Sequence, residues 1–272
     1  LGAAAARNAL TSAQLEPGDI DLVLVGTSTP DGMFPATASR VQHAIGARNA
    51  GAFDVNAACA GFLAALSTGM QFVAGGGAQR VLVVGAETMS RILDWTDRNT
   101  CVLFGDGAGA VVLAQGEPHQ GFPCYQMGSD GSGGPLLVRP VGGSKTAVSH
   151  DAIDAGQHLL KMDGRNVFKW AVRLLTESTE LLLDKTGLSI HDVSLYLFHQ
   201  ANIRIISAAA EQLGIPQDKV YNNLQRYGNT SAGSIPIVLD EALSANRIHR
   251  GDTVLMCGFG GGLSWGTSLV RW

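Results

Sequence analysis

Of the four cysteines in this 272-residue chain, at 59, 101, 124 and 257, one stands where a nucleophile would. Cys59 lies in DVNAACAGF (Asp54 to Phe62), after a segment that reads as a short strand and before one that reads as a helix. A sulfur at that junction faces the unsatisfied N–H groups and the positive end of the helix, which favours thiolate. A helix terminus is worth about 0.3–1 kcal/mol and one pKa unit about 1.4 kcal/mol. The terminus therefore moves a thiol of ordinary pKa ~8.5 by roughly one unit. A well-populated thiolate at neutral pH needs a second cause, and a neighbouring imidazole is the usual one. The competing reading is a small buried hydrophobe, a common fate of free cysteine; position alone leaves both open.

Two further residues match that chemistry. His199 ends the apolar run of LYLFHQAN, and in parallel α/β sheets ligand sites gather at the carboxyl ends of strands. Asn229 lies in RYGNTSAGS, just before a helix-like segment, where a cap or turn residue is the ordinary alternative. Near the end, GFGGGLSWG (Gly258 to Gly266) puts four glycines in five residues. That density is not expected of regular strand; it allows a turn whose N–H groups aim at a ligand, an oxyanion-hole element. A phosphate loop is excluded there, because no Lys-Ser/Thr follows and no helix opens. FGDGAG (104–109) precedes a strand rather than a helix and reads as a tight structural bend.

The elements that must position these residues repeat. DIDLVLVG (Asp19 to Gly26) resembles DVSLYLFH (Asp192 to His199), an offset of 192 − 19 = 173. VLVVG (Val81 to Gly85) resembles VLMCG (Val254 to Gly258), and 254 − 81 is again 173. CAG at 59–61 lies against SAG at 231–233, an offset of 172. Two halves of like order follow, each read as strand, helix, strand, helix, strand. In the first half the strands are 22–25, 52–56, 81–84 and 104–114, and the helices 36–45 and 61–73. In the second, helices fall at 176–186, 203–213 and 235–245, with strands at 195–198 and 253–257. Apolar strands without alternation, separated by helices, predict an α/β fold with parallel sheets covered on both faces. The expected organisation is a nucleophile half over 1–115, a Gly-, Ser- and Pro-rich excursion with room for a hairpin over 116–160, and a half carrying His and Asn over 161–272. The two-fold relation brings both loops to the middle of the molecule, where Cys59, His199 and Asn229 converge.

Composition removes other classes. A hydrophobic content of 46% allows a substantial core. The net charge of −4 is dispersed, without the basic stripe of a nucleic-acid binder. Wide cysteine spacing gives neither a zinc motif nor a disulfide framework and fits a reducing cytoplasm. No apolar run approaches the roughly 18 residues of a membrane span. The start, LGAAAARNAL, reads as a helix already under way rather than as a signal peptide.

Six ordered stretches, DVNAACAGF, FGDGAGAVVL, KMDGRNVFKWAV, FHQANIRII, YGNTSAGSIPIVL and GFGGGLSWGTSLVRW, together resemble β-ketoacyl-acyl carrier protein synthase III over nearly the whole chain. The resemblance implies the thiolase-like fold, two pseudo-repeated βαβαβ halves in a layered αβαβα arrangement. It also implies an acyltransferase that initiates fatty acid synthesis by decarboxylative condensation of an acyl-CoA primer with malonyl-acyl carrier protein. Catalytic roles fall on Cys59, His199 and Asn229, and an oxyanion hole on the N–H groups of Cys59 and Gly261. Coenzyme A contacts fall on Arg98, Met162, Gly164, Phe168, Ala201 and Asn202, and carrier-protein contacts on Lys169 and Arg204. Phe34, in MFPATAS, falls where a partner subunit's aromatic ring closes the acyl pocket of a homodimer; core packing is its alternative. The resemblance further implies no cofactor and no metal, and a cytoplasmic setting. The family's N-terminal segment, with a first strand and an adenine-stacking Trp, is expected to be missing before Leu1.

The runner-up is a related thiolase-fold starter or polyketide-type condensing enzyme, although GFGGG differs from the polyketide group's GFGPG. A thiolase would want a second active-site cysteine, and Cys257 falls inside a predicted strand. A papain-like hydrolase lacks its CGSCW-like setting, and a non-catalytic partner subunit would lack the nucleophile.

Overall fold

The computed structural model describes residues 1–272. The chain runs through α1 (Gly2–Ala13), β1 (Leu22–Gly26), α2 (Thr37–Ile45), β2 (Gly51–Val55), α3 (Gly61–Ala74), β3 (Arg80–Thr88) and β4 (Asp106–Ala114). It continues through β5 (Gly121–Ser129), β6 (Leu137–Val138), α4 (His150–Asp154), β7 (Lys161–Met162) and the long α5 (Gly164–Thr186). The order is completed by β8 (Leu195–Phe198), α6 (Ile203–Leu213), α7 (Leu224–Tyr227), α8 (Ser234–Ser244), β9 (Thr253–Gly260) and β10 (Ser264–Arg271).

Strand alternation generates the layers. Successive side chains of a strand point to opposite faces. Val23, Val25, Leu82 and Val84 meet Ala6, Leu10, Val41 and Ile45 of α1 and α2 in one core. Their neighbours Leu22, Leu24, Val81 and Val83 face the other way, onto Phe62, Leu63 and Leu66 of α3 and Ile235, Val238 and Leu239 of α8. Leu195, Leu197, Val254 and Met256 close on the same two helices from the opposite side. Tyr196, Phe198, Leu255 and Cys257 face outward onto α5 and α6. The stack is therefore helices, sheet, central helices α3 and α8, sheet, helices. A helix between two sheets must be apolar nearly all round, and α3 is buried at every residue from Gly61 to Ser67.

Several expectations change. The sheets run β2-β1-β3-β4 and β5-β10-β9-β8. Pairing is parallel in β2-β1-β3 and β8-β9, but β4, β10 and β5 pair antiparallel with their neighbours. Only residues 261–263 join β9 to β10, too few for the crossover that a parallel pair requires. The strand predicted over 253–257 continues to Gly260; the glycines of GFGGG are strand as far as Gly260, since the β10 ladder supplies backbone partners that glycine accepts like any residue. Helix α5 begins at Gly164, not near 176, because Asp163 caps it: its carboxylate accepts from Asn166 N at 3.2 Å and Asn166 Nδ2 at 2.7 Å. Within 116–160, Gly121–Ser129 is a strand on the edge of the second sheet.

The repeat is also shifted by one residue near the nucleophile. Ala58 and Ser231 both have left-handed backbones, φ 47° and 49°, and 231 − 58 = 173. A non-glycine residue there costs about 1–3 kcal/mol, so these two turns are the natural anchors of the comparison. Cys59 therefore corresponds to Ala232, and the 172 offset of CAG with SAG gives way to 173.

FGDGAG is more than a bend. Gly105 N donates to Asn229 O at 3.0 Å, and Asn229 N donates to Leu103 O at 2.8 Å. A Cβ on Gly105 would stand 2.1 Å from Tyr227 O, so glycine is what lets this strand entry clamp the Asn229 loop. Gly105→Ala is expected to cost about 1–3 kcal/mol through this backbone collision, measured as a lower urea midpoint. An unchanged midpoint would contradict the clamp.

Candidate active site

Cys59 sits in a 3₁₀ turn, Ala58–Ala60, that runs directly into α3. The turn follows β2, whose parallel pairing with β1 brings it to the carboxyl end of the first sheet. The matching turn Ser231–Gly233 leads into α8. Each turn is set by an asparagine two residues before its left-handed residue: Asn56 Oδ1 accepts from Ala58 N at 3.2 Å, and Asn229 Oδ1 accepts from Ser231 N at 2.8 Å. With its carbonyl oxygen so engaged, Asn229 has its amide NH2 left as the donor for the cavity it lines.

His199 follows β8, its N–H donating to Cys257 O at 2.8 Å. Its ring stands edge-on to Phe259, centroids 5.2 Å apart, and Nδ1 has no hydrogen-bond partner in the protein. Cys59, His199 and Asn229, which come from both halves, line one cavity of about 150 Å3. All three are buried, at 6%, 1% and 6% exposure.

Burial decides the protonation states. Loss of water pushes the Cys59 thiol up to about 12 against the help of a hydrogen bond from Ser231, and the Glu87 carboxylate adds to the rise. A helix terminus worth about 0.3–1 kcal/mol cannot reverse that. Burial pulls His199 down to about 3, so its imidazole is neutral. A neutral ring supplies an N–H donor, not a cation.

Met162, Gly164, Phe168, Ala201 and Asn202 line the same cavity. Arg98, Lys169 and Arg204 are exposed and lie outside its lining. A Cβ on Gly261 would stand 3.1 Å from Leu137 O, whereas one on Gly260 would stand 2.5 Å from Cys59 N, so Gly260 is the glycine pressed on Cys59. Phe34 is 87% exposed, which removes core packing as its explanation and places it away from this chain's own cavity.

Sequence reasoning missed Phe259, Trp170, Ile205 and Leu263, the apolar wall, and the polar residues that hold the donors. Gln200 bridges the two donor segments: its Nε2 donates to Phe198 O at 2.7 Å and its Oε1 accepts from Asn223 N at 3.0 Å. Glu241 accepts from Asn223 Nδ2, Arg226 Nη1 and Tyr227 OH at 3.0, 2.9 and 2.7 Å, tying α7 down just before Asn229. Gln200 adjoins His199 in sequence and was within reach; Glu241, on α8, carried no local signal.

A buried cysteine at a strand-to-helix elbow, met by His and Asn donors from a duplicated half in an αβαβα stack, defines a thiolase-fold condensing enzyme. Residues 53–131 match the family described as 3-oxoacyl-[acyl-carrier-protein (ACP)] synthase III, and residues 183–272 match its C-terminal counterpart. The chain belongs to the 3-oxoacyl-[acyl-carrier-protein] synthase III family. It is 51% identical over 268 residues to a beta-ketoacyl-[acyl-carrier-protein] synthase III of Desulfitobacterium hafniense, covering 98% of this chain and 81% of that one. The solved 3-oxoacyl-[acyl-carrier-protein] synthase III of Aquifex aeolicus superposes with a TM-score of 0.91 at 44% identity, over 100% of this chain and 83% of that one. A priming β-ketosynthase from the R1128 polyketide pathway has the same TM-score of 0.91 at 37% identity, over 99% and 80%.

The site's charge state is directly measurable. Side-chain NMR is expected to show His199 neutral from pH 8 down to pH 5, since its pKa lies near 3. Protonation of His199 near the ordinary value of about 6.5 would contradict a dry cavity.

Proposed function

We propose that Cys59, His199 and Asn229 divide the family's two half-reactions between them. The enzyme condenses an acyl-CoA primer with malonyl-acyl carrier protein to give a 3-oxoacyl-acyl carrier protein, the first condensation of fatty acid synthesis. In this reading the half 1–115 carries the nucleophile and the half 161–272 the donors. Cys59 attacks the primer thioester and coenzyme A leaves. The acyl-enzyme persists because the cavity is small, buried and apolar-walled, and because the Cys59 and Gly261 N–H groups hold the thioester oxygen. Malonyl thioester then enters and loses carbon dioxide. The negative charge that develops on its thioester oxygen is met by N–H donors from His199 and Asn229. Donors suit that task better than a cation or a base, because they stabilise the charge without titrating. The new carbanion attacks the acyl group on Cys59, forming the carbon–carbon bond and breaking the Cys59 thioester, whose sulfur leaves as thiolate and regains a proton. The single observation that carries this reading is the convergence of those three side chains on one cavity of about 150 Å3.

Met162, Gly164, Phe168, Ala201 and Asn202 lie along the cavity and suit the pantetheine arm. Exposed Arg98, next in sequence to cavity-lining Asn99, is assigned to coenzyme A, and exposed Lys169 and Arg204 to the acidic carrier protein. No helix is long and apolar enough to cross a membrane, and a cytoplasmic setting is part of the proposal. So is a homodimer. Met33 and Phe34 are 81% and 87% exposed, and Phe53 on edge strand β2 is 39% exposed, apolar surface that a second copy would cover while carrying Phe34 to its partner's acyl pocket.

Three outcomes test these roles. Cys59→Ala is expected to abolish acylation by acyl-CoA yet leave malonyl decarboxylation measurable. His199→Ala and Asn229→Ala should each lower decarboxylation on the order of 10²–10³-fold while Cys59 still becomes acylated, read by intact-protein mass spectrometry. Equal loss of both half-reactions in all three variants would contradict the division. Light scattering is expected to give twice the chain mass; a monomer would remove the dimer and the role of Phe34.

A further inference from the structure

The two strand-to-helix turns match by the 173-residue offset, but they are not held alike. In the first half Asn56 bonds Ala58 N, Ala58 has no hydroxyl, and Asn56 lies outside the cavity lining. In the second half Asn229 bonds Ser231 N and lines the cavity. Ser231 has an attachment that Ala58 lacks: its hydroxyl donates to Glu87 Oε1 at 2.9 Å, across to the first half. The position matched to Glu87 is Gly260, 260 − 87 = 173, so the other turn has no such carboxylate to reach. Glu87 is 2% exposed, near the end of β3. It is fixed from its own half by Thr27 Oγ1 at 3.2 Å, Ser28 N at 3.0 Å, Ser28 Oγ at 2.8 Å and Thr29 Oγ1. A carboxylate held by four donors is a rigid, charge-strengthened acceptor for the fifth.

The Asn229 carboxamide has two orientations, related by a flip. With Nδ2 toward the cavity it donates to the thioester oxygen; with Oδ1 there it would repel the charge that develops. The Ser231 N–H selects the first, because it can only donate and so takes Oδ1. The Asn229 backbone is already set by first-half partners, its N donating to Leu103 O and its O accepting from Gly105 N. What remains to be fixed is the direction of the Ser231 N–H. Ala58, at φ 47° against 49° for Ser231, shows that the turn forms without a hydroxyl. The Glu87 bond is therefore not needed to make the turn; it adds fixity to the one turn whose asparagine faces the cavity. Taking Asn229 as the donor proposed above, we propose that Glu87 is a positioning residue acting through Ser231. The carboxylate fixes the Ser231 hydroxyl, the Ser231 N–H fixes Asn229 Oδ1, and Asn229 Nδ2 is thereby held toward the malonyl thioester. Neither Glu87 nor Ser231 lines the cavity, so neither meets substrate, and no proton moves along the chain.

Aiming Asn229 and merely supporting the fold predict different readouts. Ser231→Ala is expected to lower kcat for malonyl decarboxylation about 10–10²-fold, as misplaced groups do, while KM for malonyl-acyl carrier protein and acylation of Cys59 by acyl-CoA stay within about threefold. Should that variant not fold, Ser231→Gly takes its place, since glycine suits the left-handed backbone. Glu87→Ala repeats the loss, and Glu87→Gln, which keeps an oxygen for Ser231, recovers most of it; should Glu87→Ala not fold, the Ser231 variants decide. Because the chain acts through Asn229, Ser231→Ala adds no further loss to Asn229→Ala. Decarboxylation is read as carbon dioxide release and acylation by intact-protein mass spectrometry, on the same samples of the full chain. The proposal is overturned by unchanged decarboxylation in Ser231→Ala, by equal slowing of both half-reactions, by a full further loss on top of Asn229→Ala, or by equal losses in Glu87→Ala and Glu87→Gln. Undiminished decarboxylation in Asn229→Ala would instead overturn the role of Asn229 on which it rests.

Discussion

The structure depends on how closely two strand-to-helix turns can approach. Ala58–Ala60 and Ser231–Gly233 sit back to back between the sheets, each opening a central helix, and everything catalytic is measured from them. Each turn is also pressed onto a sheet strand, backbone against backbone with no side chain between. At Gly260 a single Cβ would stand 2.5 Å from Cys59 N, and at Gly85 one would stand 2.2 Å from Ala232 O. The glycine content noted in the sequence is partly the cost of that contact, since glycine loses more freedom on folding than any other residue. The return is a nucleophile and two donors on opposite walls of one cavity.

Dryness then sets the chemistry. In a site exposed to water, the helix terminus and a protonated imidazole would together favour thiolate. In this cavity desolvation outweighs both and drives Cys59 and His199 toward their neutral forms. The consequence is consistent across the site. In the proposed mechanism the imidazole and carboxamide donate without carrying charge, so each interacts weakly with a neutral thioester and strongly with the charge that appears during decarboxylation, which is the differential binding catalysis requires.

The duplicated fold explains why the roles are unequal. At matched positions the first half has Gly26, Cys59 and Glu87 where the second has His199, Ala232 and Gly260. Gly26 has no room for a side chain, its Cβ position lying 2.5 Å from the Gly61 carbonyl carbon. One half therefore holds the nucleophile and the buried carboxylate, and the other holds the donors. Asn56 and Asn229 keep the same turn bond in both halves, but only Asn229 lines the cavity.

The sequence by itself determined much of this. Unalternated apolar runs located the buried strands, and β8 and α6 fall at the predicted residues, because burial on both faces leaves a pattern in the chain. The repeat and the six motifs identified the fold, and singled out Cys59, His199 and Asn229 because each stands at a strand end or a helix start that local physics marks. Tertiary structure alone decided the rest. The start of α5 hung on a cap at Asp163, and the direction of β10 on a three-residue connection. The neutral state of His199 and the partnership of Glu87 with Ser231 arise only when segments 144 residues apart meet. Desolvation and long-range hydrogen bonds depend on which groups exclude water from one another, and no window of sequence contains that information.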